Sequence, residues 1–595
     1  MYQEEKHILR SHPNLFIRSV SISDTPFSYY NKNMEDISYL CNPMVEPFVY
    51  ETIKDKLERY SKETPDKEAI VFYTPEFERQ SLTFGNLYRK SWECAQGLIK
   101  LGIQPGDVVG LGLPNIPEWI FCHFGIALAG AITLGFSYLS NDGQNIVQAL
   151  NQSKKCTAII FGDSAEKIDI VRQFVSGTNE NGRVLKTEVS SLKYAIRVGT
   201  EDAGDFPFTY GSLQQLAEFN FGIELPILLP DDVCIIMMTS GTTGQSKLIP
   251  KTHFHVSSVL PMTNQVMRME KEDVIFNSQP FIWIGGYVFS LLNLGNTLVT
   301  VTSYLNNIST ARQFAKLTAK VIEKENCTFA GIYGPSLLEY SDGEINCSSF
   351  PLKCVTTAGF PLSTNYASVI EKVARRFINV YGTTELGSIC YKEIVRPEDF
   401  EDYSVGSPVR GIEITVLDQA GKLCKRNVTG EINVRSSVRF LGYLNNQEKT
   451  IEVLDQSGWF KTNDIGYVTS DGQVVVSGRL SDVIIIGGWK MSPVHLENVL
   501  SAHPDILDVK VIAIEDKVMF QEACACLMKK PESTTTWDDL KALIPNKGIT
   551  KKENIHNRLA VPKYHVFIDS FPRTISGKVD KKQLKEEVLK VLKVK

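Results

Sequence analysis

The chain has 595 residues, too many for one hydrophobic core, because single cores stop growing near about 250–300 residues. Its 43% hydrophobic and 22% charged residues exclude a mostly disordered or collagen-like chain. A net charge of −5 argues against a whole-chain nucleic-acid or membrane-surface binder, though a local basic patch stays open.

Residues 1–47 read as an N-terminal extension. Its early acids, Glu4 and Glu5, and its lack of an apolar run fit neither a secretory leader nor a mitochondrial presequence. The C-terminal KVLKVK is not the peroxisomal SKL. The twelve cysteines include no C-x-x-C pair, so reduced thiols are expected. A cytoplasmic protein is the expectation, with a mitochondrial one left open. The uncharged stretch 119–139 is long enough to cross a bilayer, yet it contains Gly125, Gly130 and Gly135 and turns strand-like in its second half. A buried helix running into a buried strand is expected there, with no transmembrane span.

From about residue 48, strands and helices alternate. A strand at 108–111 precedes a helix opened by Pro117 and running to about Leu128. Strands follow at 158–161, 233–238 and 328–333. The spacing of Ala367, Ile370, Val373, Ala374 and Phe377 predicts a helix within 363–377, and 377–380 reads as the next strand. Such alternation predicts an α/β protein of parallel-rich sheets flanked by helices. After about residue 405 the style changes to strands at 412–417, 430–434 and 474–477 separated by turns, which predicts a small β-rich lobe over 405–478. A boundary near 478–482 then divides a large N-terminal domain, 1–478, from a smaller α+β C-terminal domain, 479–595. There a strand at 483–486 leads through Gly487 and Gly488 to a helix with Ser492 as N-cap and Pro493 in its first turn. Strands at 509–514, 522–528 and 564–568 and a helix from Thr536 follow. The last helix presents Leu584, Val588, Val591 and Leu592 on one face and lysines on the other.

The sharpest local signal is the run Thr239, Ser240, Gly241, Thr242, Thr243, Gly244, Gln245, Ser246, Lys247, between a strand and a helical pattern (Val256, Val259, Met262, Val266). Small residues let backbone N–H groups converge on an anion, and the hydroxyls and lysine add donors. It lacks the adjacent Gly-Lys-Ser/Thr of a Walker loop. Taken alone, it also suits a surface turn. Four more motifs follow in order: Tyr381-Gly382-Thr383-Thr384-Glu385, Trp459-Phe-Lys-Thr-Asn-Asp464, Gly478-Arg479-Leu-Ser-Asp482 and Pro572-Arg-Thr-Ile-Ser-Gly577-Lys578.

In order and spacing these five motifs resemble the adenylate-forming superfamily of acyl-CoA synthetases, luciferases and peptide-synthetase adenylation domains. The layout is most similar to medium-chain fatty acyl-CoA ligases and coumarate-ligase-like synthetases, from about Phe48 onward. The resemblance implies an ATP-dependent acid–thiol ligase using Mg2+ and coenzyme A. A fatty or arylalkenoic acid would become an acyl-adenylate with loss of pyrophosphate, then an acyl-CoA with loss of AMP. By resemblance, the loop from Thr239 to Lys247 holds the β- and γ-phosphates, and Glu385 is the magnesium ligand. Thr384 bonds the α-phosphate, Gly359, Phe360, Pro361 and Tyr381 wall the adenine, and Gly382 and Thr383 join the ATP/AMP-binding set. Asp464 takes the ribose hydroxyls and Arg479 adds donors nearby. Lys578 would neutralise charge between two anionic reactants in the first step. A rotation about Asp482 would then replace it with Gly487, Gly488 and Trp489 beside a thiol channel.

Four positions depart from the family pattern. Ser246 stands where proline is common and Leu248 where glycine is common, both bearing on loop stiffness. Asn463 replaces a glycine before Asp464, where asparagine tolerates left-handed backbone. Trp283 occupies a position where many synthetases carry histidine, and an indole cannot take up a proton. Trp283 and Gly285 lead the candidates for the acyl and thiol channel, with Ile284, Phe289, Leu291 and Leu292 behind them. His253 and His255 suit packing or capping better than a metal pair. Apart from Lys578, the C-terminal lysines read as a solvated face. Two other fates stay open: a luciferase-like or carrier-loading use of the adenylate, and a non-catalytic nucleotide-binding relative.

Overall fold

The computed structural model describes residues 36–592 apart from 137–142, 200–203, 219–222, 240–246, 303–310, 333, 341–343, 346, 348–349, 351, 360–361, 363–365, 488, 531, 545–560 and 573–578. Two sheets organise the larger part of the chain. The first has six strands in the order Tyr194–Val198, Cys156–Gly162, Val108–Gly112, Ile132–Gly135, Val233–Thr239 and Lys247–Thr252. All its pairings are parallel except the last, where Lys247–Thr252 returns antiparallel along Val233–Thr239. The second sheet has 14 strands. Its parallel section runs through Glu68–Tyr73, Thr297–Val301, Val274–Asn277, Phe329–Gly331, Cys354–Ala358 and Phe377–Thr383.

At Phe377–Thr383 the pairing reverses. Gly387–Ile394 returns antiparallel and hands the sheet to Ser404–Pro408 and then to Val474–Arg479, Phe460–Val468, Gly430–Ser436 and Ile412–Leu417. The β-rich segment is therefore hydrogen-bonded into the same sheet as the parallel strands. Its outer edge is Tyr39–Asn42, which comes from the N-terminal extension and pairs antiparallel with Ile412–Leu417.

The uncharged stretch after Trp119 resolves into the helix Pro117–Leu128 and the strand Ile132–Gly135. Pro117 sits in the first turn, where its missing N–H costs nothing. The helix is apolar on every side because it lies inside the core, so its hydrophobicity reports burial. Gly125 allows close approach to the helix Phe84–Lys100, where an added Cβ would come within 2.5 Å of the Cys94 Cβ. Among the described residues no helix is long and apolar enough to cross a membrane.

The C-terminal part builds a five-stranded sheet from Ile484–Ile486, Trp489–Met491, Ile506–Asp516, Phe520–Lys529 and Tyr564–Phe567. The helix Pro493–Ser501 packs on one face through Leu496 and Leu500, and Lys581–Leu592 packs on the other through Leu584 and Val588. Two local expectations are corrected. Val591 is 61% exposed, because 584, 588 and 592 follow the four-residue helical repeat and 591 turns off that face. Ser492 precedes its helix as expected but makes no cap bond; its hydroxyl donates to the Ser477 carbonyl at 2.5 Å, tying the helix to the strand Val474–Arg479. The same junction stacks His495 edge-on against Tyr403 at 4.8 Å.

Candidate functional site

Several of the predicted residues that are described, Thr239, Lys247, Tyr381, Asp464 and Arg479, lie on strands of the two sheets. In open α/β sheets, ligands sit beyond the carboxyl ends of the parallel strands. Thr239 closes Val233–Thr239, and Lys247 opens the returning strand directly opposite it. Residues 240–246, which carry the predicted Ser240, Gly241, Thr242, Thr243 and Gly244, lie outside the described residues, so the structure fixes the two ends of this loop. Phe360, Pro361, Gly488 and Lys578 also lie outside the described residues, as does the side chain of Trp489. Leu248 belongs to the strand Lys247–Thr252 instead of the loop, and its side chain is buried in the core. Its substitution for glycine therefore acts on packing.

Gly359 follows Cys354–Ala358, a strand paired with Phe377–Thr383, and adopts φ +74°. The Tyr381 hydroxyl donates to Asp464 Oδ2 at 2.6 Å. Burial, reinforced by that carboxylate, pushes the Tyr381 phenol well up from its ordinary value. Asp464 sits on Phe460–Val468 directly opposite Arg479, whose Nε lies 3.2 Å from Asp464 Oδ1. Asn463 adopts φ +62°, so the left-handed turn expected of this asparagine is present. Asp464 is 5% exposed while the Arg479 side chain is half exposed, leaving the cation at the rim. Gly382 is required by space: a Cβ there would lie 2.3 Å from the Gly387 carbonyl oxygen. The turn it opens contains Thr384 and Glu385, and the Thr383 hydroxyl accepts from the Leu386 N–H at 3.2 Å.

Two residues that sequence reasoning did not single out complete this region. Tyr443 donates its hydroxyl to Glu385 Oε1 at 2.7 Å. Lys247 lies over the Tyr443 ring, Nζ 4.9 Å from the centroid and 3.4 Å from the hydroxyl. Tyr443 thus links the end of the loop to the Glu385 carboxylate. Lys251, 5% exposed, donates from Nζ to the Glu385 carbonyl at 2.8 Å. Burial pulls this ammonium down to about 8, against the opposing pull of the Glu385 carboxylate. Neither residue stands in a recognisable motif. The one available signal for Lys251 was a cation in an otherwise apolar, strand-forming stretch.

Beside Glu385 opens a cleft lined by Lys251, His255, Val256, Val259, Met262, Thr263, Ile284, Phe289, Leu386, Gly387, Ser388 and Val438. Of the predicted channel residues, Ile284 and Phe289 face it, whereas Leu291 and Leu292 are sealed in the core. Trp283 and Gly285 are not part of its lining; they lie on the adjoining turn, where the Asn277 amide donates to the Gly285 carbonyl at 2.8 Å.

His253 and His255 do structural work. His253 Nδ1 accepts from the Ile53 N–H at 3.1 Å. His255 Nδ1 accepts from the Thr252 N–H at 3.1 Å, which leaves Nε2–H to donate to the Arg439 carbonyl at 2.7 Å. Burial pulls both rings down to about 4, so both are neutral near pH 7. Among the described residues no cluster of three or more His, Cys, Asp or Glu side chains could hold a metal ion. Asp482 lies in a short 3-10 turn and pairs with Lys581 at 2.8 Å, and Lys585 pairs with Glu515 at 3.1 Å. These two lysines are therefore not a purely solvated face.

The sheets bring Lys247, the Glu385 turn and an apolar cleft together, the arrangement expected of the adenylate-forming class. The chain belongs to the AMP-binding enzyme family, which matches residues 57–444, while the AMP-binding enzyme C-terminal domain matches residues 495–578. It is 26% identical to the medium-chain acyl-CoA ligase ACSF2, mitochondrial, of Mus musculus, over 94% of this chain and 91% of the relative. Its identity to the corresponding Danio rerio protein is 27%, over 93% and 90%. The fold is similar to that of the anthranilate CoA ligase AuaEII in complex with anthranoyl-AMP, with a TM-score of 0.75 at 22% identity over 92% of this chain and 99% of that one. It is also similar to McyG A-PCP complexed with phenylalanyl-adenylate, with a TM-score of 0.76 at 19% identity over 93% and 85%.

Proposed function

We propose that the protein joins a medium-chain or arylalkenoic carboxylic acid to coenzyme A at the expense of ATP. The observation that carries this reading is the apolar cleft opening beside the Glu385 turn, next to the Lys247–Tyr443–Glu385 and Tyr381–Asp464–Arg479 contacts. Hydrocarbon would lie along Val256, Val259, Met262, Ile284 and Phe289, gaining by leaving water. The names of the curated relatives favour a medium chain.

In the first step a carboxylate oxygen attacks the α-phosphorus of ATP, and the bond to the β-phosphate oxygen breaks to release pyrophosphate. Lys247 and the 240–246 loop would bind the phosphates that depart, and Thr384 the α-phosphate that stays. Asp464, held by Tyr381 and Arg479, would accept from the ribose hydroxyls. Lys578 would offset the repulsion between carboxylate and phosphate. Glu385 fits a hard cation that keeps phosphate and water oxygens as its other ligands, and Mg2+ held there would shield the charge of the triphosphate. In the second step the coenzyme A thiol loses its proton and attacks the acyl carbon, and AMP leaves. We place the hinge between the two conformations at Asp482, between residues 1–478 and 479–595, with Gly487, Gly488 and Trp489 serving the thiol step. All twelve cysteines are free thiols, which suits the cytosol or another reducing compartment.

The test is AMP and pyrophosphate release from ATP with a panel of medium-chain, long-chain and aromatic acids, with and without coenzyme A. Acid-dependent AMP accelerated by the thiol is expected. No AMP with any acid refutes the reading.

A further inference from the structure

The lining of the cleft contains one ammonium and no carboxylate. That ammonium, Lys251, is 5% exposed, and its hydrogen bond among the described residues goes to an uncharged acceptor, the Glu385 carbonyl at 2.8 Å. A lysine carries three N–H donors, and a buried charge held by one neutral oxygen is expensive unless an anion joins it. Its position fixes where that anion would sit. Lys251 precedes the helix His253–Met267, whose Val256, Val259 and Met262 run away from it as apolar wall, while Leu386, Gly387 and Ser388 close the same cleft next to Glu385. The cation therefore stands at the end of the cleft that adjoins the proposed nucleotide site.

We propose that Lys251 anchors the carboxylate of the acid substrate, holding it at the Glu385 end of the cleft while the hydrocarbon extends along Val256, Val259 and Met262. This rests on the acid-activating reading and adds a positioning cation besides Lys578.

The groups facing Lys251 leave this role open to it. From its own strand comes Lys247, held over the Tyr443 ring. From the helix comes His255, neutral and engaged through both ring nitrogens. From the 384–386 turn comes Glu385, whose Oε1 accepts from Tyr443. Arg439 contributes its backbone carbonyl to His255. The Glu385 carboxylate acts on Lys251 only through space, so an incoming carboxylate would bring the direct charge-assisted bond that the ammonium lacks among the described residues. Once the carboxylate oxygen has bonded to phosphorus, the acyl group no longer carries that charge, so the pairing serves capture of the acid.

The experiment uses the full chain, with octanoate and cinnamate as acid probes and their amides, octanamide and cinnamamide, as neutral controls. Calorimetry on wild type and Lys251→Met should show roughly ten- to hundredfold weaker binding of the preferred acid in the variant, with amide binding unchanged. Lys251→Arg should restore most of the loss. If Lys251→Met does not fold, Lys251→Gln measured against the same acid and amide pair decides the matter. Equal weakening of acid and amide, or binding of neither acid, overturns the inference. If acids support AMP release and Lys251→Met keeps a normal acid KM, only this inference falls. If no acid supports AMP release, the acid-ligase reading falls with it.

Discussion

Tyr443 offers a sharp test of the site because Tyr443→Phe removes one interaction and keeps another. The phenol is 5% exposed and donates at 2.7 Å to Glu385 Oε1, while Lys247 lies over the same ring. Phenylalanine retains the ring face, so the contribution of about 0.5–1 kcal/mol from Lys247 should survive. The lost hydrogen bond to a charged carboxylate is worth about 1.5–3 kcal/mol, and water reaching the half-buried Glu385 favours the lower end. If that orientation of Glu385 is needed when pyrophosphate departs, the loss appears as roughly a tenfold drop in the adenylation rate. Global stability should fall by only about 1 kcal/mol. Single-turnover pyrophosphate release at saturating ATP and acid reads the first quantity, and thermal unfolding reads the second. An adenylation rate equal to wild type, with the hydrogen bond absent, would refute the assignment of Tyr443 as a positioning residue for Glu385.

Three further outcomes follow from the same geometry. Gly382→Ala should cost about 1–3 kcal/mol by forcing a Cβ against the Gly387 carbonyl, and it should slow adenylation because the displaced turn carries Thr384 and Glu385; unchanged melting and unchanged rate would contradict it. Lys578→Ala should lower adenylation by roughly two or three orders of magnitude while thioester formation from supplied acyl-adenylate persists, and equal loss of both steps would contradict the division of labour. Burial holds His123 at about 3 and His253 and His255 at about 4, below the 6.5 of an exposed imidazole. Between about pH 6.5 and 4 the unfolded chain then binds more protons than the folded one, so stability is complete above 6.5 and falls on acidification through this window. Melting temperature measured from pH 7.5 to 4.5 should decline steeply below 6.5, and a level profile would contradict the buried neutral rings.

What could be read from the sequence was whatever local chemistry decides. Pro117 fixes a helix start, the strand Ile412–Leu417 alternates buried and half-buried residues, and Asn463 takes the left-handed turn its side chain tolerates. What escaped was set by distant partners. The strand Lys247–Thr252 contains Pro250, a poor strand residue, and is viable because it is the edge strand, with Pro250 opposite Ile236. Tyr39–Asn42 becomes a strand through pairing with residues 370 or more positions away, such as Tyr39 with Thr415. Ser492 has the pattern of an N-cap, yet the nearby Ser477 carbonyl captures its hydroxyl. Within the site, the motif residues Tyr381, Glu385, Asp464 and Arg479 announce themselves by spacing. Tyr443 and Lys251 acquire meaning only once the sheet brings them to Glu385.

The account stands on formation of an acyl-adenylate, and oxygen-isotope transfer tests it most directly. The acid found to be turned over is labelled with 18O in both carboxylate oxygens and incubated with the full chain, ATP, Mg2+ and coenzyme A, and the AMP is analysed by mass spectrometry. One labelled oxygen in the phosphate of AMP is predicted, because the attacking carboxylate oxygen stays on phosphorus when the thiol displaces AMP. Unlabelled AMP, or thioester formed with ADP as the nucleotide product, would contradict it.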